Sequence, residues 1–94
     1  MSKSNLFVHF HSSFKKDLKR SAKRGKDIEK FDAILEILQN GLSIHEKYKD
    51  HKLIGNYEGF RELHTQPDWL LIYKIDIKKN ILILYRRGSH SDLF

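Results

Sequence analysis

The sequence predicts an α+β fold in the order β-α-α-β-β-β, with a two-helix hairpin packed on one face of a mainly antiparallel, four-stranded sheet. Three observations lead there. "LFVHFH" alternates with period two near the start. Two stretches between residues 12 and 39 carry apolar residues at helical spacing. The second half holds three strand-length runs, "FRELHT", "WLLIYKI" and "ILILYRR", separated by short turns.

Each element has a local reason. In the first strand Leu6, Val8 and Phe10 share one face, and Phe7, His9 and His11 the other. Ser12 or Ser13 is the expected cap of a first helix that runs to Gly25, with Phe14, Leu18 and Ala22 as a narrow apolar stripe. Asp27 is placed to cap "IEKFDAILEILQ", whose Ile28, Phe31, Ile34, Leu35 and Leu38 make a fuller face, and Asn40-Gly41 ends it. Residues 42 to 59 read as irregular, broken at Gly55 and Gly59. "QPD" joins the first two later strands and "DIKKN" the next two. At 94 residues, without repeat or linker, the chain reads as one domain, 1–94.

Composition narrows the function. No apolar run approaches the roughly 20 residues of a membrane helix, and the short apolar part of the N-terminus does not read as a signal peptide. The expected location is cytoplasmic. With no cysteine, thiol nucleophiles, thiolate metal sites and disulfides are excluded. Eighteen Lys and Arg against twelve Asp and Glu give +6, which favours a polyanionic partner as well as plain solubility. Lys15, Lys16, Lys19, Arg20, Lys23 and Arg24 form a basic stripe suited to RNA or a ribosome, and equally a helix's wet face. No glycine-rich phosphate loop, His-Glu-x-x-His or Gly-x-Ser-x-Gly motif is present, so no cofactor or metal is specified. "SHSD" at 89–92 holds the letters of a hydrolase triad, but adjacent residues cannot converge as a triad must.

What remains is a dispersed set. His51, His64 and His90 fall at strand edges or in loops, with Asp68 in a turn and Arg61, Arg86 and Arg87 at strand ends. Trp69 is either core or a platform for a nucleobase. Taken singly, each has an ordinary structural explanation. Together they suit metal-free cleavage of RNA, in which the 2′-hydroxyl attacks, histidines move protons near neutral pH, and an arginine meets charge on the phosphoryl oxygens.

The stretches "YKDHKLIGNYEGFRELHTQPDWLLIYK" and "YRRGSHSDLF" closely resemble the YafQ branch of the RelE-like toxins of bacterial type II toxin–antitoxin systems. The resemblance spans nearly the whole chain. It implies two helices on a curved antiparallel sheet, an endoribonuclease cutting mRNA on the ribosome, and a cognate antitoxin; the free toxin would be a monomer. It places the functional positions at His51, His64, Asp68, Arg86 and His90 for chemistry, and at Arg61, Glu62, Trp69 and Phe94 around the substrate. Arg87 departs from the pattern as a second arginine, grouped with the substrate contacts, and Gly88 would turn the chain to bring His90 to the site. His9 and His11 match no motif and receive no function. A ParE-like gyrase inhibitor, or an RNA- or protein-binding module without nuclease activity, stays open; the former lacks this His-Asp-His set.

Overall fold

The computed structural model describes residues 5–23 and 28–94. The elements are β1 (Phe7–Phe10), α1 (Ser12–Lys23), α2 (Ile28–Gln39), β2 (His51–Lys52), β3 (Arg61–Gln66), β4 (Trp69–Asp76), β5 (Ile81–Gly88) and α3 (His90–Leu93), with single 3-10 turns at Glu46–Tyr48 and Gly55–Tyr57. They form a five-stranded mixed sheet in the order β1-β5-β4-β3-β2. β1 runs parallel to β5, and the remaining neighbours are antiparallel.

The α+β class and the element order agree with the sequence reading; the strand count does not. β2 is the fifth strand, a two-residue edge lying inside the stretch read as irregular. Two residues are too few to show an alternation. α3 was also unread, because four residues carry no helical period.

One face of the sheet carries the helices. Phe14 of α1 and Phe31, Ile34 and Leu38 of α2 pack on Leu63, Leu71, Tyr73, Leu82 and Leu84, all buried. Leu18 and Leu35 join them part-buried, as their spacing predicted. The expected caps Gly25 and Asp27 lie outside the described residues, as do the side chains of Ala22 and Ile28. α1 is capped by neither serine: the Ser13 backbone N–H donates to Nδ1 of His11 at 3.1 Å. Histidine is not among the favoured capping residues, so sequence preference pointed one position too far. Gly41, at φ +68°, ends α2 as expected.

A smaller cluster of Leu70, Ile72 and Leu93 occupies the opposite face, with Leu53, Tyr57, Phe60 and Tyr85 around it. Two β-bulges flank it. His64 pairs with Leu70 and Gln66 with Trp69, leaving Thr65 as an extra residue. Ile72 pairs with Arg86 and Tyr73 with Leu84, leaving Tyr85 extra. A bulge shifts the phase of alternation, so residues beyond it exchange faces.

At the far edge Asp50 ties β2 to the sheet. It accepts hydrogen bonds from Arg61 Nε at 3.0 Å and Nη2 at 2.7 Å, and from the Tyr73 hydroxyl. Burial pushes the Tyr73 phenol well above its usual range, and the bond to Asp50 adds to the shift. A phenol held neutral in the fold contributes stability that is complete below about pH 10 and lost as the pH rises further. Tyr73→Phe should therefore lower stability near neutrality by roughly 1 kcal/mol. Its stability should also fall less steeply than that of the wild type above pH 10, as followed by urea denaturation at stepped pH.

Candidate active site

Register places several of the candidate side chains in rows on the face opposite the α1–α2 layer. His51 of β2 lies across from Glu62, Glu62 from Ile72, and Ile72 from Arg86. In the next row His64 pairs with Leu70 and Leu70 with Gly88. Adjacent strands lie about 4.8 Å apart, so Glu62 and Arg86 are separated by roughly 10 Å of backbone across an apolar floor. One phosphodiester fits such a span.

On the β2–β3 side, His51 Nε2 is 3.2 Å from Glu62 Oε1. Its Nδ1 is 2.7 Å from the Lys49 carbonyl and can only donate there. The imidazole is thus held at both nitrogens, with half of its side chain exposed. Glu62 is buried, so it orients His51 instead of presenting itself to substrate. His64, on the same face of β3, is half-buried. It also borders a cavity of about 410 Å³ lined in part by Lys30, Lys47 and Lys49.

On the β5 side, Arg86 donates from Nε to Asp17 Oδ2 at 2.7 Å and from Nη2 to Oδ1 at 3.2 Å. Hydrogen bonding to this carboxylate raises the guanidinium above its ordinary pKa, and Tyr57 adds a smaller contribution. α3 closes this side. Leu93 packs on the floor, His90 and Phe94 meet edge to face at 5.0 Å, and Phe94 meets Tyr57 at 5.5 Å. His90 and Phe94 are both exposed. Tyr85, the bulge residue, lies 4.8 Å from Phe60 and 4.7 Å from His11 between ring centroids. His11 thus borders this cluster while serving as the α1 cap.

The short α3 is fixed by a capping box. The Asp92 N–H donates to Ser89 Oγ at 3.2 Å, and the Ser89 N–H to Asp92 Oδ2 at 2.9 Å. "SHSD" is therefore a helix start, with no triad in it. Gly88 serves packing: a Cβ there would stand 3.0 Å from Asp92 Cβ and 3.2 Å from Arg20 Nη2. The expected turn role gives way to close approach.

Besides Glu62, three expected substrate contacts are corrected. Trp69 is 2% exposed, and its ring is not available for stacking a base. Arg61 follows the alternation of β3 to the helix side, where Asp50 holds it. Arg87 is fully buried, its guanidinium 4.7 Å above the Phe31 ring and without a hydrogen-bond partner among the described residues. Burial lowers its pKa, with Asp32 opposing the shift. The bulge at Tyr85 explains why. Unbroken alternation from Leu82 and Leu84 would bury Arg86 and expose Arg87, and the extra residue reverses them.

Asp68 stays exposed at the Pro67-Asp68 turn with φ +65°, a conformation that aspartate tolerates. Of the basic stripe, Lys15, Lys16 and Lys19 are exposed. Arg20 turns back to Asp17 at 2.8 Å. Arg24 lies outside the described residues, as does the Lys23 side chain. Among the described residues no three His, Asp or Glu side chains converge as a metal-binding group.

The residues missed from sequence are Asp17, Asp50, Tyr57 and Tyr85. Asp17 had a signal, because it falls on the apolar stripe between Phe14 and Leu18. The others became readable only through pairing across the sheet.

Residues 6–94 match the family described as bacterial toxin of type II toxin-antitoxin system, YafQ. The chain belongs to the YafQ family. It is 39% identical over 88 residues to the mRNA interferase toxin YafQ of Escherichia coli K12, covering 93% of this chain and 94% of that one. Among solved structures, a metal-bound toxin from Helicobacter pylori superposes with a TM-score of 0.88 at 42% identity, covering 95% of this chain and 99% of that one. The E. coli DinJ–YafQ toxin–antitoxin complex superposes with a TM-score of 0.86 at 36% identity, covering 96% and 98%. The helices-on-sheet architecture is thus that of the YafQ toxins.

The opposed environments of the two arginines separate in experiment. Arg87→Met, which replaces a buried charge lacking a hydrogen-bond partner by an apolar chain, should keep or raise the melting temperature and leave activity within a few-fold. Arg86→Met should lower cleavage by roughly 10²-fold or more while the chain stays folded. Thermal denaturation and mRNA cleavage assays on the same preparations check both.

Proposed function

We propose that this toxin is an mRNA interferase, an endoribonuclease that cuts mRNA in the ribosome by in-line attack of the substrate's own 2′-hydroxyl. The observation that carries the reading is one sheet face on which His51–Glu62 and His64 stand across an apolar floor from Arg86 and α3, with its exposed His90. The E. coli relative named mRNA interferase toxin supports it. The scissile phosphate lies over Leu70 and Ile72. Arg86 faces the phosphoryl oxygens, where developing negative charge is best stabilised. A histidine on the β2–β3 side takes the 2′-hydroxyl proton, and His90 delivers a proton to the leaving 5′-oxygen. Phe94 offers an exposed ring to a neighbouring base. Asp68 contributes its carboxylate from the turn beside His64. The exposed lysines of α1 contact ribosomal RNA phosphates.

The chain works as a single domain in the cytoplasm. Among the described residues no helix is long and apolar enough to cross a membrane. The complex of the E. coli toxin with DinJ supports an antitoxin partner for this chain too, acidic enough to cover part of its basic surface and silencing it as a heteromer. Free of that partner, the toxin acts as a monomer and arrests translation.

A 2′-O-methyl group at the scissile nucleotide should stop cleavage and leave ribosome binding nearly unchanged, whereas unmodified mRNA yields a 2′,3′-cyclic phosphate or its hydrolysis product and a 5′-hydroxyl. Cleavage of the methylated message at the normal rate would exclude the 2′-hydroxyl as nucleophile.

Asp68→Gly provides a second check. Glycine relieves the positive-φ turn while removing the carboxylate. Unchanged or higher stability with slowed cleavage is expected; a full cleavage rate would reduce Asp68 to a turn residue.

A further inference from the structure

With Arg86 as the group that meets the scissile phosphate in the proposed nuclease reaction, we infer that Asp17 is a positioning residue for cleavage, fixing the direction in which the Arg86 guanidinium presents its free end. Asp17 is 2% exposed on the inner side of α1, and an aspartate is almost never buried so deeply unless paired. Both of its oxygens engage Arg86, through Nε at 2.7 Å and Nη2 at 3.2 Å. This side-on contact occupies the Nε edge of the guanidinium and fixes the direction of its other end, beside Tyr57. An arginine without such a clamp would spread over many rotamers, and that freedom would be lost on each encounter with substrate.

The carboxylate is itself anchored to the sheet. Past Leu84 the edge of β5 has no β1 partner, and Asp17 Oδ2 accepts the Arg87 backbone N–H there at 2.9 Å. The bond that fixes Asp17 thus comes from the residue next to the side chain Asp17 orients. Arg20 adds a second guanidinium at 2.8 Å, in the space that Gly88 leaves open. One carboxylate between two guanidiniums leaves a net positive charge, so the clamp directs Arg86 without cancelling its attraction for phosphate.

A purely architectural Asp17, needed only to hold α1 on β5, makes a different prediction, and a double-mutant cycle on programmed ribosomes separates the two. Asp17→Asn should slow cleavage of the bound complex by roughly 10²-fold, the scale of a misplaced catalytic group. Affinity for the ribosome should stay within a few-fold of wild type. In an Arg86→Ala background the same substitution should cause little further loss, because the group it directs is already gone. Equal losses in both backgrounds, or a wild-type rate for Asp17→Asn, would overturn the positioning role. Arg86→Ala cleaving at the wild-type rate would remove the nuclease role of Arg86 itself, and the positioning role with it. If Asp17→Asn does not fold, the wild-type chain still decides through nuclear magnetic resonance. Slow solvent exchange of the Arg86 Nε–H relative to exposed arginines is expected, and exchange as fast as theirs would overturn the clamp.

Discussion

α1 stays seated on the sheet because a buried carboxylate answers a strand that has lost its neighbour. β1 pairs with β5 only as far as Leu84, so the next part of the β5 edge would otherwise be open. Asp17 takes up the Arg87 N–H and, with the same two oxygens, Arg86 and Arg20. Removing one partner from a buried charged set typically costs about 3–5 kcal/mol, a large share of the stability of a small domain. α1, the end of β5 and the approach of α3 past Gly88 meet at this carboxylate. Architecture and site are therefore joined at one residue.

A second carboxylate plays a comparable part at the other edge. β2 contributes only two residues to the sheet, too few to hold by pairing alone. Asp50, the residue before it, is bonded to Arg61 and Tyr73 on the helix side. His51 consequently projects to the other face, against Glu62. The same pairing explains Arg61. It supports the proposed catalytic histidine from behind the sheet, where partial exposure limits its own energetic contribution but leaves its geometric one intact.

The sequence made the fold class legible because its signals are local. The stripes of α1 and α2 and the apolar runs of β4 and β5 each span several periods. The site was legible in part. His51, His64, Asp68, Arg86 and His90 stood at strand ends and turns, and the YafQ resemblance named them; the sheet then set His51, His64 and Arg86 on one face. Arg87 was misjudged because of a bulge. Arg61 and Trp69 keep plain alternation with Leu63 and Leu71, and were misjudged because the buried face of their strands was not known. Which way a residue points depends on strand phase, and two bulged residues, Thr65 and Tyr85, change that phase without any mark in composition. Asp17 was overlooked for another reason. A charged residue in a basic helix looks solvated, and only its place on the stripe beside Phe14 and Leu18 spoke against that.

The bulge at Tyr85 gives the adjacent arginines a relation that their shared chemistry hides. Arg86 and Arg87 are the same residue type, one step apart, yet one is turned toward the proposed phosphate site and the other lies dry against Phe31. Their difference is one of parity. Pairing Tyr85 with Ile72 in place of the bulge, with every residue kept, would turn Arg86 to the buried face and Arg87 to the open one. With Arg86 in its proposed role, a one-register slip of this strand end would disarm the protein as fully as the loss of a histidine, without any change of sequence.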